Sequence, residues 1–239
     1  SQSRGLGDVY KRQDLDVLKK NKIILTNTPN AVRRPVAVAS LTMILSLSGK
    51  LMIKDNLVRE GRWNERTNHM GVGLINKTLG IVGFGGIGRE FVKISKGLFK
   101  NIICYDPFVG KEEMKNLQVE KVDFDKIANS SDFLVILCDL NEKTRGMIDS
   151  TFLNKMKSSS YLINLSRGPV VNEKHLINSL KQNKISGAGL DVMTNEPIEE
   201  NNELLNLKNT ILTPHSLCWT DECFNLSLIH ISEPTRLAT

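Results

Sequence analysis

A glycine-rich turn placed between an apolar strand and a helix constrains the fold of this 239-residue chain more than any other feature. Residues 83–88 read GFGGIG, directly after the apolar run Thr78–Val82 and before a helical pattern. In a GxGxxG turn the first glycine, Gly83, permits the tight turn, Gly85 lets a pyrophosphate approach the main chain, and Gly88 lets the helix pack on the strand. Free N–H groups at the helix start bind the anion. Methyltransferases carry similar loops, but the strand before this turn and the helix after it favour a dinucleotide-binding turn.

Short apolar strands alternate with helical patterns around this turn. We predict strands at Thr78–Val82, Ile102–Tyr105, Phe133–Leu137, Tyr161–Leu165, Gly187–Val192 and Thr210–Thr213. We predict helices at Ile87–Leu98, Ser150–Met156 and Glu173–Lys181. Continuous apolar strands separated by helices imply a parallel sheet that is covered on both faces. The predicted fold class is therefore α/β, with a doubly wound parallel sheet of the Rossmann type.

The chain before the glycine turn reads as a short strand and a long helix. Residues Ile23–Thr26 fit the strand, and Pro35 stands at the start of the helix, where a missing N–H does no harm. An apolar helix face is predicted from Leu41, Ile44, Leu45 and Leu51. The run from Val36 to Ile53 is interrupted by Ser, Thr, Gly and Lys, so we expect no membrane span.

The second predicted strand ends in an acidic residue. Asp106 lies 18 residues after Gly88, close to the offset of about 20 residues expected for the acidic residue of a dinucleotide site. A carboxylate at this position accepts hydrogen bonds from the adenosine ribose hydroxyls and repels a 2′-phosphate, which favours NAD over NADP. The alternative is a structural cap at the end of the strand.

Composition argues against several other classes of function. The formal net charge of +6 is spread as lysine along helices and loops, without the basic stripe or interleaved aromatic residues that nucleic-acid binding favours. Cys104, Cys138, Cys218 and Cys223 form no CxxC pair, so we interpret them as reduced thiols of a cytoplasmic protein. The spacing of Cys218 and Cys223 from His215 matches no zinc pattern, and we expect no metal.

The two ends of the chain are related to each other through their DNA. Residues 3–13, SRGLGDVYKRQ, can be encoded by a sequence whose reverse complement translates as LSLIHISEPTR, which is residues 226–236. The pair resembles an inverted-repeat adapter of transposon-based sequencing libraries, read through at both ends. We therefore interpret residues 1–13 and 226–239 as adapter-derived, and we expect the informative chain, 14–225, to be part of a longer protein.

Three later segments carry polar groups suited to chemistry. They are NLSRG at 164–168, GLDV at 189–192 with Glu196 after it, and LTPH at 212–215. Together with the glycine turn, these segments resemble, in order and spacing, the signature blocks of the D-isomer-specific 2-hydroxyacid dehydrogenases. The resemblance covers nearly all of 14–225. It implies an NAD-dependent oxidoreductase that transfers a hydride between NAD(H) and a small 2-hydroxy or 2-oxo acid, such as glycerate, phosphoglycerate or lactate, and that is a homodimer when intact.

The same resemblance assigns roles to individual residues. Arg167 would bind the substrate carboxylate and polarise the carbonyl, His215 would be the catalytic acid and base, and Glu196 would hold the imidazole in place. Asp191 matches the residue that contacts the nicotinamide carboxamide. Further cofactor contacts are implied at Gly86, Ile87, Cys138 and Leu165. Taken singly, Arg167 could instead be a surface ion pair, Glu196 a loop carboxylate and His215 a strand-end histidine.

The resemblance also predicts the domain organisation. Residues 14–28 correspond to a remnant of a second, substrate domain, 29–212 to the NAD-binding domain, and 213–225 to the return into the substrate domain. Because most of the substrate domain is missing, we expect the chain as given to bind cofactor but to be inactive. The sequence departs from many relatives at Asp139, where they have proline, and at 216–220, where they are rich in glycine. NAD-sensing corepressors share this fold and retain the catalytic residues, and they are the alternative.

Overall fold

The computed structural model describes residues 15–22 and 30–225, and within these residues seven parallel strands form one sheet. The strands are β1 Thr78–Val82, β2 Asn101–Tyr105, β3 Glu120–Lys121, β4 Phe133–Ile136, β5 Tyr161–Asn164, β6 Gly187–Leu190 and β7 Thr210–Leu212. Their order across the sheet is β3-β2-β1-β4-β5-β6-β7. The chain winds outward from β1 in one direction, returns to the centre and continues from β4 in the other. This is the doubly wound plan predicted from the sequence.

Helices in the described residues cover both faces of the sheet. The α-helices are α1 Leu15–Lys20, α2 Arg33–Gly49, α3 Leu51–Arg59, α4 Gly86–Ser95, α5 Lys111–Asn116, α6 Phe124–Ser130, α7 Ser150–Lys155 and α8 Glu173–Lys181. Segments of 3-10 helix span Trp63–His69, Gly168–Val170 and Glu203–Asn206. Side-chain oxygens of Asp123, Asp149 and Asn172 accept a hydrogen bond from the first turn of α6, α7 and α8. Each bond satisfies a backbone N–H that has no partner inside its helix.

Two apolar layers, one on each face of the sheet, make up the core. Alternate residues of a strand point to opposite faces, so Ile81 packs on one side and Val82 on the other. The first layer lies beneath α2 and α4, and the second lies beneath α6, α7 and α8. In the first layer, Phe133 stacks on Tyr161 with ring centroids 5.1 Å apart and meets Phe99 edge-on at 6.0 Å. Both faces of the sheet are thus buried, as its continuous apolar strands require.

Helix α2 packs mainly on α4, and Pro35 stands in its first turn as predicted. Its predicted apolar face is wrong at two positions, because Leu45 and Leu51 are 48% and 56% exposed. Leu45 lies about 100° further round the helix than the buried Ile44 and so points away from the core. Leu51 lies beyond the end of α2, since Lys50 adopts a left-handed conformation with φ of 52° and the chain restarts as α3. No single described helix is long and apolar enough to cross a membrane, although α2 and α3, bent by 59°, pass a test of length and composition as a pair.

The other predicted elements are confirmed within a few residues, and the differences have local causes. Strands β4, β5, β6 and β7 each end one or two residues earlier than predicted, where loop residues of the functional edge begin. The helix predicted from Ile87 begins at Gly86 and ends at Ser95, just before Gly97, whose φ is 81°. The two-residue β3 and the short, largely polar α5 and α6 are absent from the prediction. The strand predicted at Ile23–Thr26 lies outside the described residues.

The aromatic stack in the first layer gives a test of the core. Replacing the fully buried Phe133 by alanine should lower the free energy of unfolding by about 3 to 5 kcal/mol, because it removes the ring between Phe99 and Tyr161 and leaves a cavity. The same substitution at Phe108, which is 87% exposed, should change that free energy by no more than about 0.5 kcal/mol. Urea unfolding followed by circular dichroism measures both, and equal losses in the two variants would contradict this packing.

Candidate active and cofactor-binding site

The residues singled out from the sequence lie along one edge of the sheet. The glycine turn follows β1, and the other polar groups follow β2, β5, β6 and β7 at their carboxyl ends. In a parallel sheet all carboxyl ends meet at the same edge, and ligands bind there where the strand order reverses. In this sheet the reversal lies between β1 and β4. The fold therefore gathers the predicted residues Asp106, Cys138, Arg167, Asp191 and His215 at the carboxyl edge of the sheet.

Three glycines of the turn, Gly83, Gly85 and Gly88, lie in different steric surroundings. Gly83 has φ of 103°, and a Cβ there would lie 2.7 Å from the backbone nitrogen of Cys138, so the turn has no room for a side chain. A Cβ on Gly88 would overlap the carbonyl oxygen of Gly83, which keeps α4 close to β1. Gly85 differs, because its φ of −73° suits any residue and a Cβ there would have nothing within 4 Å. The chain itself leaves this space open, which fits the close approach of a pyrophosphate to the main chain.

Asp106 joins the end of β2 to the glycine turn. One oxygen of its carboxylate accepts a hydrogen bond from the Phe84 N–H at 2.7 Å, and the other accepts from the N–H groups of Phe108 and Val109 at 2.8 and 3.3 Å. The structural cap considered from the sequence is therefore present. An ionised carboxylate has about four acceptor sites, so these three bonds leave capacity for a ribose hydroxyl. The ribose contact and the preference for NAD stay predictions.

Three further residues predicted to contact the cofactor, Leu165, Ile87 and Cys138, differ in how far their side chains are exposed. Leu165 is buried beneath α2, so a cofactor contact at this position has to come mainly from its main chain. Ile87, in the first turn of α4, is partly buried against the same layer. Cys138 lies directly behind Gly83, and burial raises the pKa of its thiol to about 12. The Cys138 thiol is therefore protonated near neutral pH, and Cys138 acts as a packing group at this edge.

His215 and Glu196 form a hydrogen-bonded pair. The Nδ1 atom of His215 lies 2.8 Å from one carboxylate oxygen of Glu196, and the other oxygen accepts the N–H of Met193 at 3.0 Å. The Nε2 atom of His215 makes no hydrogen bond with the described part of the chain, and both side chains are about one-third exposed. A histidine held through Nδ1 by a carboxylate keeps Nε2 free to exchange a proton with a bound molecule.

Arg167 is placed by the side chain of Asn164 at the end of β5. The Asn164 amide donates to the Arg167 carbonyl at 3.0 Å, and its oxygen accepts the N–H of Ser166 at 3.0 Å. The guanidinium of Arg167 donates to the carbonyl of Ser166 and makes no ion pair with the described residues. The alternative of a surface ion pair is therefore wrong within this part of the chain. The guanidinium remains available to a carboxylate ligand.

Gly168 connects the arginine turn to the histidine pair. A Cβ on Gly168 would overlap the backbone carbonyl of Met193 and lie 2.5 Å from the nitrogen of Thr194. The arginine turn thus packs directly on Met193, the same residue whose N–H holds Glu196. Arg167 and the pair of Glu196 and His215 belong to one packed unit through this contact. Sequence reasoning missed Asn164 and Met193, because their roles depend on the loop geometry.

Asp191 holds the loop that carries His215. Its carboxylate is buried and accepts hydrogen bonds from the Thr213 hydroxyl at 2.6 Å, the Ser216 N–H at 3.1 Å and the Leu217 N–H at 3.2 Å. The signal for this role is in the strand register, since Leu190 of β6 pairs with Leu212 of β7 and the next residues are Asp191 and Thr213. The predicted contact of Asp191 with nicotinamide stays a prediction.

Comparison with known proteins identifies this arrangement. A family model described as "D-isomer specific 2-hydroxyacid dehydrogenase, NAD binding domain" matches residues 41–216. The chain belongs to this family. The family predicted from the sequence is thus confirmed, together with the α/β Rossmann fold class and NAD as the cofactor of the domain.

Individual relatives agree with this assignment. The D-3-phosphoglycerate dehydrogenase of Archaeoglobus fulgidus is 34% identical over 226 residues, which are 94% of this chain and 43% of that protein. The glyoxylate reductase of Thermococcus litoralis is 38% identical over 212 residues, 86% of this chain and 64% of that protein. Among solved structures, a D-lactate dehydrogenase from Aquifex aeolicus complexed with NAD and lactic acid has a TM-score of 0.82 at 28% identity, over 91% of this chain and 70% of that one. The chain spans about half to two thirds of the length of these dehydrogenases.

The different surroundings of Gly85 and Gly88 give a test of the cofactor site. Gly85→Ala should leave the free energy of unfolding nearly unchanged, because its Cβ meets nothing, yet it should weaken NADH binding about tenfold or more by filling the space beside the main chain. Gly88→Ala should instead lower the free energy of unfolding by about 1 to 3 kcal/mol, since its Cβ overlaps a carbonyl. Chemical unfolding and NADH fluorescence titration separate the two effects. Loss of stability without loss of binding in Gly85→Ala would contradict this assignment.

Proposed function

We propose that residues 14–225 belong to an oxidoreductase that transfers a hydride between NAD(H) and a small 2-hydroxy or 2-oxo acid. The observation that carries the proposal is the His215 Nδ1 to Glu196 carboxylate distance of 2.8 Å, which leaves Nε2 open at the edge that holds the glycine turn. A proton donor and a dinucleotide turn at one sheet edge suit the reduction of a carbonyl beside the cofactor. The family supports the proposal through relatives named glyoxylate reductase and D-3-phosphoglycerate dehydrogenase.

Each catalytic residue has a defined task in this proposal. Arg167 binds the substrate carboxylate and polarises the neighbouring carbonyl, for which a planar and permanently charged guanidinium is suited. His215 gives the proton on Nε2 to the carbonyl oxygen during reduction and removes the hydroxyl proton during oxidation. Glu196 fixes the imidazole and compensates its positive charge when it is protonated. NAD, when bound, supplies or accepts the hydride at the carbon atom. Orientation of the three side chains comes from Asn164, Met193 and Asp191.

The cofactor site follows the same proposal. Residues 29–212 are the NAD-binding domain, between a substrate-domain remnant at 14–28 and a return segment at 213–225. The glycine turn with Ile87 holds the pyrophosphate, Asp106 the adenosine ribose, and Asp191 the nicotinamide amide. Cys138 and Leu165 contact the cofactor mainly through the main chain of the loops in which they lie. The relatives and structures reported above are enzymes, and no observation in this chain favours the corepressor alternative.

We also propose that the intact protein is a cytoplasmic homodimer. The support for a dimer is apolar surface on α2, α3 and the 3-10 segment after them, where Val38, Leu45, Met52, Val58 and Trp63 are exposed. Large exposed apolar side chains on consecutive elements are a feature of protein interfaces. The support for the compartment is that all four cysteines are free thiols.

The cofactor preference can be tested on the chain itself. The chain should bind NADH about tenfold or more tightly than NADPH, because the carboxylate of Asp106 at the end of β2 repels a 2′-phosphate. Titration of both cofactors, followed by protein fluorescence at constant ionic strength, measures the ratio. Equal affinities would remove Asp106 as the determinant of cofactor choice.

The catalytic assignment can be tested in the complete protein that contains this chain. His215→Ala should lower turnover of glyoxylate, hydroxypyruvate or pyruvate with NADH by about 10²- to 10⁴-fold with little change in KM, because it removes the proton donor. Arg167→Ala should lower turnover and raise KM together, since the guanidinium binds and polarises the substrate. His69→Ala is the matched control and should keep normal turnover, because His69 lies in the 3-10 segment outside this edge. Near-normal turnover in His215→Ala across pH would show that another group transfers the proton.

A further inference from the structure

Helices α2 and α4 meet at the glycine turn, and the contact includes the side chain of Arg33. A Cβ added to Gly86 would lie 2.8 Å from the guanidinium carbon of Arg33 and 2.9 Å from its Cδ. The arginine side chain therefore lies against the first residue of α4, although it comes from the start of α2, about 50 residues earlier in the chain. This contact places a positive charge beside the turn, and that charge comes from outside the GxGxxG motif.

The other arginines around the turn are already paired with carboxylates. Arg34 makes an ion pair with Glu90 of α4 at 2.8 Å, and Arg89 makes one with Glu113 of α5. Arg33 is exposed and makes no side-chain hydrogen bond or ion pair with the described residues. The guanidinium of Arg89 also contacts the turn, 5.3 Å from the ring centre of Phe84, but its charge is paired. Arg33 is the one of the three without a carboxylate partner among the described residues.

The charges beside the first residue of α4 favour the binding of an anion. The amino end of α4 carries free N–H groups and the positive end of the helix dipole. Arg33 adds the positive charge of its guanidinium. The space beside Gly85, next to these two positive groups, is open, because a Cβ there would have nothing within 4 Å. A doubly charged anion in that space would hydrogen-bond to both of them.

We propose that Arg33 binds the pyrophosphate of the dinucleotide, opposite the backbone N–H groups of α4. The inference rests on the NAD-binding role of this domain and adds to it a side-chain contact from α2. Arg33 thereby makes part of the phosphate affinity depend on the packing of α2 against α4. The neighbouring Arg34 makes a solvent-exposed ion pair with Glu90, which contributes little to that packing.

The test compares Arg33 with Arg34, its neighbour in sequence and charge. Arg33→Ala should weaken NADH and ADP-ribose binding about tenfold, equivalent to about 1.4 kcal/mol, and leave adenosine binding unchanged, because adenosine has no pyrophosphate. Arg33→Lys should lose less, since it keeps the charge and loses the planar fork. Arg34→Ala removes the same charge and should change NADH affinity less than about threefold, because solvent and salt screen a charge without direct contact. The affinities come from NADH fluorescence and from competition of the other two ligands against NADH.

The salt dependence of NADH affinity gives a second readout of the charge of Arg33. NADH affinity of the unaltered chain should fall with rising salt concentration, and the dependence should be shallower in Arg33→Ala but not in Arg34→Ala. Thermal melting confirms that each variant is folded, and Arg33→Gln replaces the alanine variant if its melting temperature is lowered. Equal losses for NADH and adenosine, tighter binding in Arg33→Ala, or identical effects of Arg33→Ala and Arg34→Ala would overturn the proposal. Failure of the unaltered chain to bind NADH would overturn the cofactor-binding role itself, which distinguishes the two.

Discussion

The register of three neighbouring strands builds the catalytic edge of this molecule. Asn164 of β5 pairs with Leu190 of β6, and Leu190 pairs with Leu212 of β7, so all three strands end abreast. The main chain continues this pairing one step further, with the Asp191 N–H donating to the Asn164 carbonyl. A shift of β7 by one residue would turn its side chains to the opposite face and separate Asp191 from Thr213. The placement of His215 therefore depends on hydrogen bonds between strands that carry no catalytic group.

The charges at the cofactor edge are arranged to leave the glycine turn positive. Asp106 contacts the turn, and its carboxylate accepts hydrogen bonds from three N–H groups of the main chain. Arg34 and Arg89 are neutralised by Glu90 and Glu113. What remains at the turn is the amino end of α4 and the guanidinium of Arg33, which has no carboxylate partner in the described part of the chain. A site for a pyrophosphate needs this imbalance, because binding of an anion to a neutralised surface would replace existing ion pairs and gain little.

Sequence reasoning succeeds for features that depend on local pattern and fails for those that depend on contact through space. The buried strands and the glycine turn are local, since each is a short apolar run or a fixed spacing of glycines, and the structure confirms both. The apolar face of α2 depends only partly on local pattern, because the left-handed Lys50 ends the helix and moves Leu51 out of the helical periodicity. Asn164 and Met193 act through loop geometry, and Arg33 reaches the turn across a helix contact. No spacing in the sequence indicates these three contacts.

Helix α2 connects the two surfaces on which the proposed function depends. Its amino end places Arg33 against the glycine turn, and its buried face packs on α4 and beneath it on β5 and β6. Its outer side exposes Val38 and Leu45, which are seven residues apart and so lie on the same stripe of the helix. Association of two chains through that stripe, as proposed above, would bury this apolar area. Because Arg33 is carried on the same helix, the packing of α2 on α4 sets both the position of the guanidinium at the turn and the direction in which the apolar stripe points.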